Sequence, residues 1–314
     1  MRFGFSTEQR ALAATVREVL AAHCPPKLVR AGTRRGELWG HLADLGLFGM
    51  LAGDLGLTEL DAVLVLEELG RSAAPGPLLE TAFVAPGLLA AVPSLAERWL
   101  APLAAGKVAV SLCLRPDQYA VDADIADLCL IAVGDVLHLG TPLAAQPGVD
   151  GARRLFTLAV GPSVGCGAVA AACDRGALGT AAQLLGVATH LLEMTVSYVG
   201  GRRQFGRPVG QFQAVQHRLA DVLMAIEFAR PLVYRAAVSL SRRAGSASLD
   251  VSAAAASTIE AAELAARAAL QLHGAVGYTA ELDLHLWLRR VWSLRAAWGS
   301  PEWHRGRVAD LLLL

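Results

Sequence analysis

The sequence predicts a mainly α-helical fold interrupted by one small β layer, and three observations carry that expectation. Apolar residues recur at helical spacing over the first hundred or so positions and again from Ala177 to the end. Between them, the pattern shortens into Val-rich runs bounded by Gly and Pro, which is strand-like. The chain is also rich in Ala and Leu and poor in aromatic residues, at 6%, a composition suited to packed helices. The expected organisation is an N-terminal helical domain over 1–106, a shortened β domain over 107–172 and a C-terminal helical bundle over 173–314.

The first helix follows Ser6, whose hydroxyl can cap it, and carries Leu12, Val16, Val19 and Leu20 on one face. A second runs from Leu38 to Leu47 with Gly46 as its C-terminal stop. Thr58 opens a third, through Leu60, Val63, Leu64, Leu66 and Leu69 to Gly70, with Glu67 and Glu68 assigned to its outer face. Pro75 and Pro77 interrupt the helical spacing after Gly70, and Leu78 to Leu89 and Leu95 to Ala105 are further helical material.

Strands are expected at Lys107 to Leu114, Leu128 to Val133, Val136 to Leu139 and Leu155 to Val160, with a loop near Pro147-Gly148. Gly161-Pro162-Ser163-Val164-Gly165 matches the bare pattern of a serine nucleophile elbow, but the layer around it is not α/β, so a turn is expected there. Helical spacing then returns through Leu184 to Tyr198, Phe212 to Ile226, Val251 to Gly274, Leu286 to Ala296 and Trp303 to Leu313, a bundle with a loop at Ser246-Ala247-Ser248.

Composition excludes several classes. The 28 basic and 28 acidic side chains cancel, leaving no footprint for nucleic acid or an anionic membrane. Five dispersed cysteines, Cys24, Cys113, Cys129, Cys166 and Cys173, show neither a CxxC pair nor zinc-ligand spacing, and read as reduced core residues of a cytoplasmic protein without a metal site. The start, Met1 to Ser6, has no apolar signal-type run, and Leu311 to Leu314 is too short to span a bilayer, so membrane insertion is not expected. With 54% hydrophobic residues, a large buried subunit interface is expected.

The most informative stretch is Arg202-Arg203-Gln204-Phe205-Gly206-Arg207-Pro208-Val209-Gly210-Gln211-Phe212-Gln213, with a distant companion, Gln271-Leu272-His273-Gly274-Ala275-Val276-Gly277-Tyr278. Arginine grips phosphate oxygens in two places, amides suit ring edges, and an aromatic face packs on a flat heterocycle. Together with Leu66-Glu67-Glu68-Leu69-Gly70-Arg71, Leu38-Trp39, Leu45-Gly46-Leu47 and the Gly53 to Leu57 turn, these segments resemble the acyl-CoA dehydrogenase family over nearly the whole chain.

That resemblance implies FAD held at a subunit interface. Arg202, Gln204, Phe205, Phe212 and Gln213 would contact its pyrophosphate and adenosine half, and Gln271, Leu272, Gly274 and Ala275 would line it from a second helix end. Ala275 stands where the family usually has a second glycine, a change that matters only if the backbone there is left-handed.

The family's reaction needs a glutamate to take the acidic α-hydrogen of an acyl-CoA. The segment similar to the family's usual base site is Ala296-Ala297-Trp298-Gly299-Ser300, which puts Trp298 at the base position. In a minority of relatives the base lies on the helix before the Arg-Gln-Phe-Gly motif; there, Asp174-Arg175-Gly176-Ala177 offers Gly176. Glu302, four residues past Trp298, is the alternative base, and His273 a second one, although its place inside the cofactor stretch favours a structural role. The loop that holds the flavin ring in the family corresponds to Leu114-Arg115-Pro116-Asp117-Gln118, without the usual glycines and serines. Arg289, Arg290 and Arg295 are expected in ion pairs or a polar interface, or near CoA phosphates.

A clasp without a base is similar to the short subunit of the heteromeric acyl-CoA dehydrogenases that actinobacteria use on steroid-derived CoA thioesters. The resemblance implies a longer partner subunit supplying the glutamate, an acyl-CoA substrate and electron-transfer flavoprotein as acceptor. A self-sufficient enzyme with altered chemistry on the same fold, or a non-catalytic scaffold subunit, are the other readings of these residues.

Overall fold

A computed structural model describes residues 4–53 and 56–313. The expected Met1 to Phe3 start, the Asp54-Leu55 part of the Gly53 to Leu57 turn, and Leu314 lie outside the described residues. Helices α1 (Thr7–His23), α2 (Pro26–Ala31), α3 (Glu37–Asp44) and α4 (Glu59–Arg71) come first, followed by a π-helical turn at Glu80–Val84 and the short helices α5 (Ala85–Ala90), α6 (Pro93–Leu95) and α7 (Ala101–Ala104).

Their ends follow local chemistry. Ser6 Oγ accepts the Gln9 N–H while the Gln9 side chain accepts the Ser6 N–H, a reciprocal cap that satisfies two otherwise orphaned donors. At α4 the Asp61 carboxylate accepts both the Thr58 N–H at 2.7 Å and the Thr58 hydroxyl at 2.9 Å. Gly46, just past α3, is left-handed at φ 84°, as a C-terminal stop requires.

The middle layer is a five-stranded sheet in the order β1-β3-β4-β5-β2. Strand β1 (Val110–Cys113) runs parallel to β3 (Leu128–Val133), whereas β2 (Ala120–Val121), β4 (Val136–Gln146) and β5 (Leu155–Cys166) pair antiparallel. Strand β5 corrects the expected turn at Gly161–Gly165: Ser163 pairs with His138 and Gly165 with Leu137, so the segment is strand. A register shift between His138 and Gly140 absorbs Pro162, whose missing N–H would otherwise break the ladder.

The bundle consists of α8 (Val169–Gly201), α9 (Gln213–Ser241), α10 (Ala247–His273), α11 (Leu284–Leu294) and α12 (Pro301–Leu313). Helix α8 starts earlier than its apolar spacing suggests, because its first turns pack small residues such as Ala172 and Gly176. Ala247 and Ser248, expected in a loop, begin α10, leaving Ser246 as the flanking residue. The core is continuous, from Val16 and Leu42 through Val110 and Leu130 to Leu184 and Val251.

Helix α4 crosses α8 at glycine distance. A β-carbon on Gly70 would stand 2.0 Å from Gln183 O, and one on Gly186 1.9 Å from Glu67 O, so neither position admits a side chain. This close approach also overturns the outer-face assignment of Glu67 and Glu68, both of which are buried. Arginines reach both carboxyls: Arg17 Nε donates to Glu68 Oε2 at 2.8 Å, and Arg230 Nη1 to Glu67 Oε2 at 3.2 Å. The cysteines divide as well. Cys24 and Cys129 are buried, Cys113 and Cys173 are half-buried, and Cys166 is exposed; all five are free thiols.

Candidate functional site

Helix α8 delivers the first motif. It ends at Gly201, Arg202 caps it in extended conformation, and a two-residue hairpin follows, β6 (Arg203–Gln204) against β7 (Arg207–Pro208). The central residues, Phe205 at φ 53° and Gly206 at φ 81°, are both left-handed, the requirement of the tight hairpin turn that matches strand twist. Glycine meets that requirement without strain and phenylalanine does not.

The strained Phe205 is 91% exposed, its ring meeting only the edge of Phe212, 6.1 Å away between centroids. The Arg207 guanidinium covers the Phe212 ring at 4.1 Å. Arg202, Gln204 and Gln213 face solvent around them. An exposed aromatic held in a costly conformation, with exposed guanidinium and amide side chains in the same stretch, is chemically suited to something flat and anionic.

The second motif closes against the first. Tyr198, near the end of α8, stacks on His273 at 4.3 Å, and its hydroxyl donates to His273 O at 3.2 Å. Past His273 the backbone turns through Gly274 at φ 66° into a 3-10 turn ending at Tyr278. The left-handed demand thus falls on Gly274 and not on Ala275, so the alanine causes no strain. Gln271, Gly274 and Ala275 are exposed and Leu272 is half-buried. His273 is buried, its Nδ1 bonds Ala269 O at 2.8 Å, and burial lowers its pKa, which leaves it a structural residue.

The two positions expected to hold a base meet in one place. Trp298, in the turn between α11 and α12, is 2% exposed and lies on Gly176 of α8: a β-carbon there would stand 2.2 Å from Trp298 Cδ2. Glu302 points away, exposed in the first turn of α12, with Oε1 3.5 Å from Arg295 Nη2. Nothing in that arrangement desolvates it as a base would need.

The expected ring-holding loop is occupied by its own neighbours. Arg115 lies 3.9 Å over the Trp303 ring and is bound by Asp117 at 3.1 and 3.0 Å, while the Gln118 side-chain oxygen accepts the Leu114 N–H at 2.9 Å. Of the three arginines, Arg290 pairs with Asp150 inside the protein and Arg295 with Glu263, whereas Arg289 is exposed. Burial keeps Arg290 from reaching a CoA phosphate in solvent.

The residues that would hold FAD therefore fit it unequally. The hairpin and the end of α10 offer free cationic, amide and aromatic groups suited to a dinucleotide, while the loop at Arg115 is closed on Trp303. Among the described residues, no cluster of three or more His, Cys, Asp or Glu could hold a metal ion, and no helix is long and apolar enough to cross a membrane.

Sequence reasoning missed two features. One is Glu80, a carboxylate 2% exposed with Arg153 Nη2 3.9 Å from its Oε1; its signal was a lone acid in the apolar run Leu78 to Val84. The other is a cavity of about 210 Å³ lined by Thr58, Glu59, Phe83, Arg175 and Arg243 among others, which no sequence pattern marks.

Known proteins share the sequence pattern and the fold of this chain. The acyl-CoA dehydrogenase N-terminal domain model matches residues 6–107, and the C-terminal domain model matches 164–313. The chain is 35% identical over 308 residues to the acyl-CoA dehydrogenase IpdE2 of Mycobacterium tuberculosis, covering 94% of both chains. It superimposes on a chain of the ChsE4-ChsE5 complex of Mycobacterium tuberculosis with a TM-score of 0.89 at 24% identity, covering 100% of this chain and 99% of the other. Butyryl-CoA dehydrogenase from Megasphaera elsdenii gives 0.89 at 21% identity, covering 100% of both. With both halves of its sequence matched and its fold shared end to end, the chain belongs to the acyl-CoA dehydrogenase family, the flavoprotein oxidoreductases that act on the CH–CH bond of CoA thioesters.

Proposed function

We propose that this chain is the subunit without a catalytic base in a two-chain, FAD-dependent acyl-CoA dehydrogenase, and that a longer partner supplies the glutamate and most contacts to the flavin ring. The observation that carries the reading is the seat of Trp298 on Gly176: both places where a base would stand are taken, one by an indole and one by a bare backbone. The closure of Arg115 on Trp303 supports it further, since the loop that would hold the ring is engaged within the chain.

Bound FAD would supply the hydride acceptor for the β-carbon of the thioester. The work of this chain is binding and orientation. Arg202 would neutralise the pyrophosphate, Gln204 and Gln213 would donate to its oxygens or to ring edges, and Phe205 would cover a flat face. Gln271, Leu272, Gly274 and Ala275 would bring backbone close to the same group, the small residues allowing the approach. The exposed apolar side chains Leu223, Met224 and Phe228 on α9 suit the partner interface. With one working site per pair there is room for a bulky acyl group, and a steroid-derived CoA thioester is the substrate class, with electron-transfer flavoprotein as acceptor.

The test is an absorbance spectrum with a size-exclusion mass, for the chain expressed alone and with a longer family member. Flavin bands in the joint complex only, together with activity lost when the partner's glutamate is replaced, are the expected result. Stoichiometric flavin and dehydrogenation by the lone chain would overturn the reading in favour of a self-sufficient enzyme.

A further inference from the structure

We propose that the cavity between the start of α4, helix α5, helix α8 and the end of α9 binds a small organic monocarboxylate, an acid with a compact apolar body of benzoate size. Its walls share no residue with the cofactor clasp or with the seat of Trp298, and the inference does not rest on the half-site reading above.

The walls divide by chemistry. Leu51, Leu57, Phe83 and Leu240 supply apolar surface, while Arg175 and Arg243 set two guanidiniums against the single carboxylate of Glu59, a net charge of +1 (2 − 1). The cavity measures about 210 Å³. An apolar cavity of about 150 Å³ holds benzene, so this one has space for a ring with a carboxylate attached.

Arg175 is fixed and yet keeps donors to spare. Its Nε donates to Oε1 of the buried Glu59 at 2.7 Å, and among the described residues its Nη groups make no other hydrogen bond. Gly87 of α5 makes room for that end of the side chain, since a β-carbon there would stand 2.0 Å from Arg175 Nη1. Paired N–H groups of a guanidinium match the two oxygens of a carboxylate.

Arg243 occupies a place that favours glycine. The end of α9 is closed by two backbone bonds, Arg243 N–H to Leu240 O and Ala244 N–H to Ser239 O, both at 2.9 Å. That motif needs a left-handed residue after the helix, and glycine usually supplies it; here an arginine does so at φ 50°. Its side chain is exposed, so burial does not offset the strain, and what the arginine adds is a charge on the cavity wall. The same two bonds occupy carbonyls at the negative end of α9 that would otherwise repel an anion.

The experiment is a calorimetric titration of the full chain, alone and in its complex, with benzoate and in parallel with benzyl alcohol, which carries the same ring without the charge. Benzoate should bind saturably with a Kd of about 1 mM or tighter, and benzyl alcohol should not bind in that range. Arg243→Gly removes the charge and relieves the backbone, so it should keep or raise the melting temperature while weakening benzoate by about tenfold. A structural role for Arg243 would not separate the two readouts in that way. Heats that do not saturate, equal binding of benzyl alcohol, or unchanged benzoate affinity in Arg243→Gly would each overturn the proposal.

Discussion

The indole of Trp298 rests on the backbone of Gly176, so that a β-carbon at position 176 would stand 2.2 Å from Cδ2 and 2.3 Å from Cε3. The two sites are 122 residues apart by number (298 − 176) and belong to different elements, yet each fixes what the other can be. Gly176→Ala should therefore cost about 1–3 kcal/mol through overpacking. The same substitution in a Trp298→Gly background should cost far less, since the obstructing ring is gone. A double-mutant cycle by urea unfolding measures the coupling; additive effects would mean that the indole does not rest on Gly176.

Phe205 bears a conformational cost without repaying it by burial in the chain. Phe205→Asn, better suited to a left-handed position, should leave stability unchanged or slightly raised, within about 0.5 kcal/mol, the usual range for surface changes. Flavin retained by the assembled pair should fall sharply, because the flat face that covers the cofactor is lost. The check is flavin absorbance per protein after gel filtration, beside thermal unfolding of the lone chain. Full flavin retention would remove Phe205 from the clasp.

The buried pair of Asp150 and Arg290 joins the stretch after β4 to α11, and Asp150 also accepts the Ala152 N–H. Burial raises the Asp150 pKa, but the charge and hydrogen bond of Arg290, the Ala152 N–H and the Arg153 charge together outweigh it and hold the carboxyl below its ordinary value. Removing one partner strands the other charge, so Asp150→Ala should cost about 3–5 kcal/mol, and Asp150→Leu with Arg290→Met should recover much of that. Denaturant midpoints for the two variants check it.

How much of the fold and the site was legible in the sequence depended on how local the cause was. Ser6, Thr58 and Gly46 act within one helical turn, and their roles could be read directly. The hairpin at Phe205-Gly206 was legible as a motif, but not the strain in Phe205, because residue type alone favours an unstrained backbone. Glu67 and Glu68 were misplaced because a charged pair ordinarily marks a solvated face, and the arginines that bring them inside are remote, Arg230 lying 163 residues from Glu67 and Arg17 51 residues from Glu68. Strand β5 was cut short because Gly and Pro normally end strands, and only the register shift in its partner accommodates them. Positions 176 and 298 were each identified from resemblance, while their contact depends on tertiary packing.

Glu67 gives the clearest pH dependence. Burial, partly offset by Arg230, lifts its carboxyl from an ordinary 4.5 to about 7, and Oε1 has no partner. A group whose folded pKa is raised binds its proton more tightly in the folded state than in the unfolded one, so its contribution is fully present below pH 4.5 and is lost as pH rises through about 7. Stability should accordingly decline from Glu67 between these values and level off above them. Glu67→Gln keeps a neutral side chain of the same shape at every pH and should flatten that decline. Comparing unfolding midpoints at pH 5 and pH 8, the wild type should lose more than the variant; equal losses would mean that Glu67 titrates normally and that Arg230 fully compensates its burial.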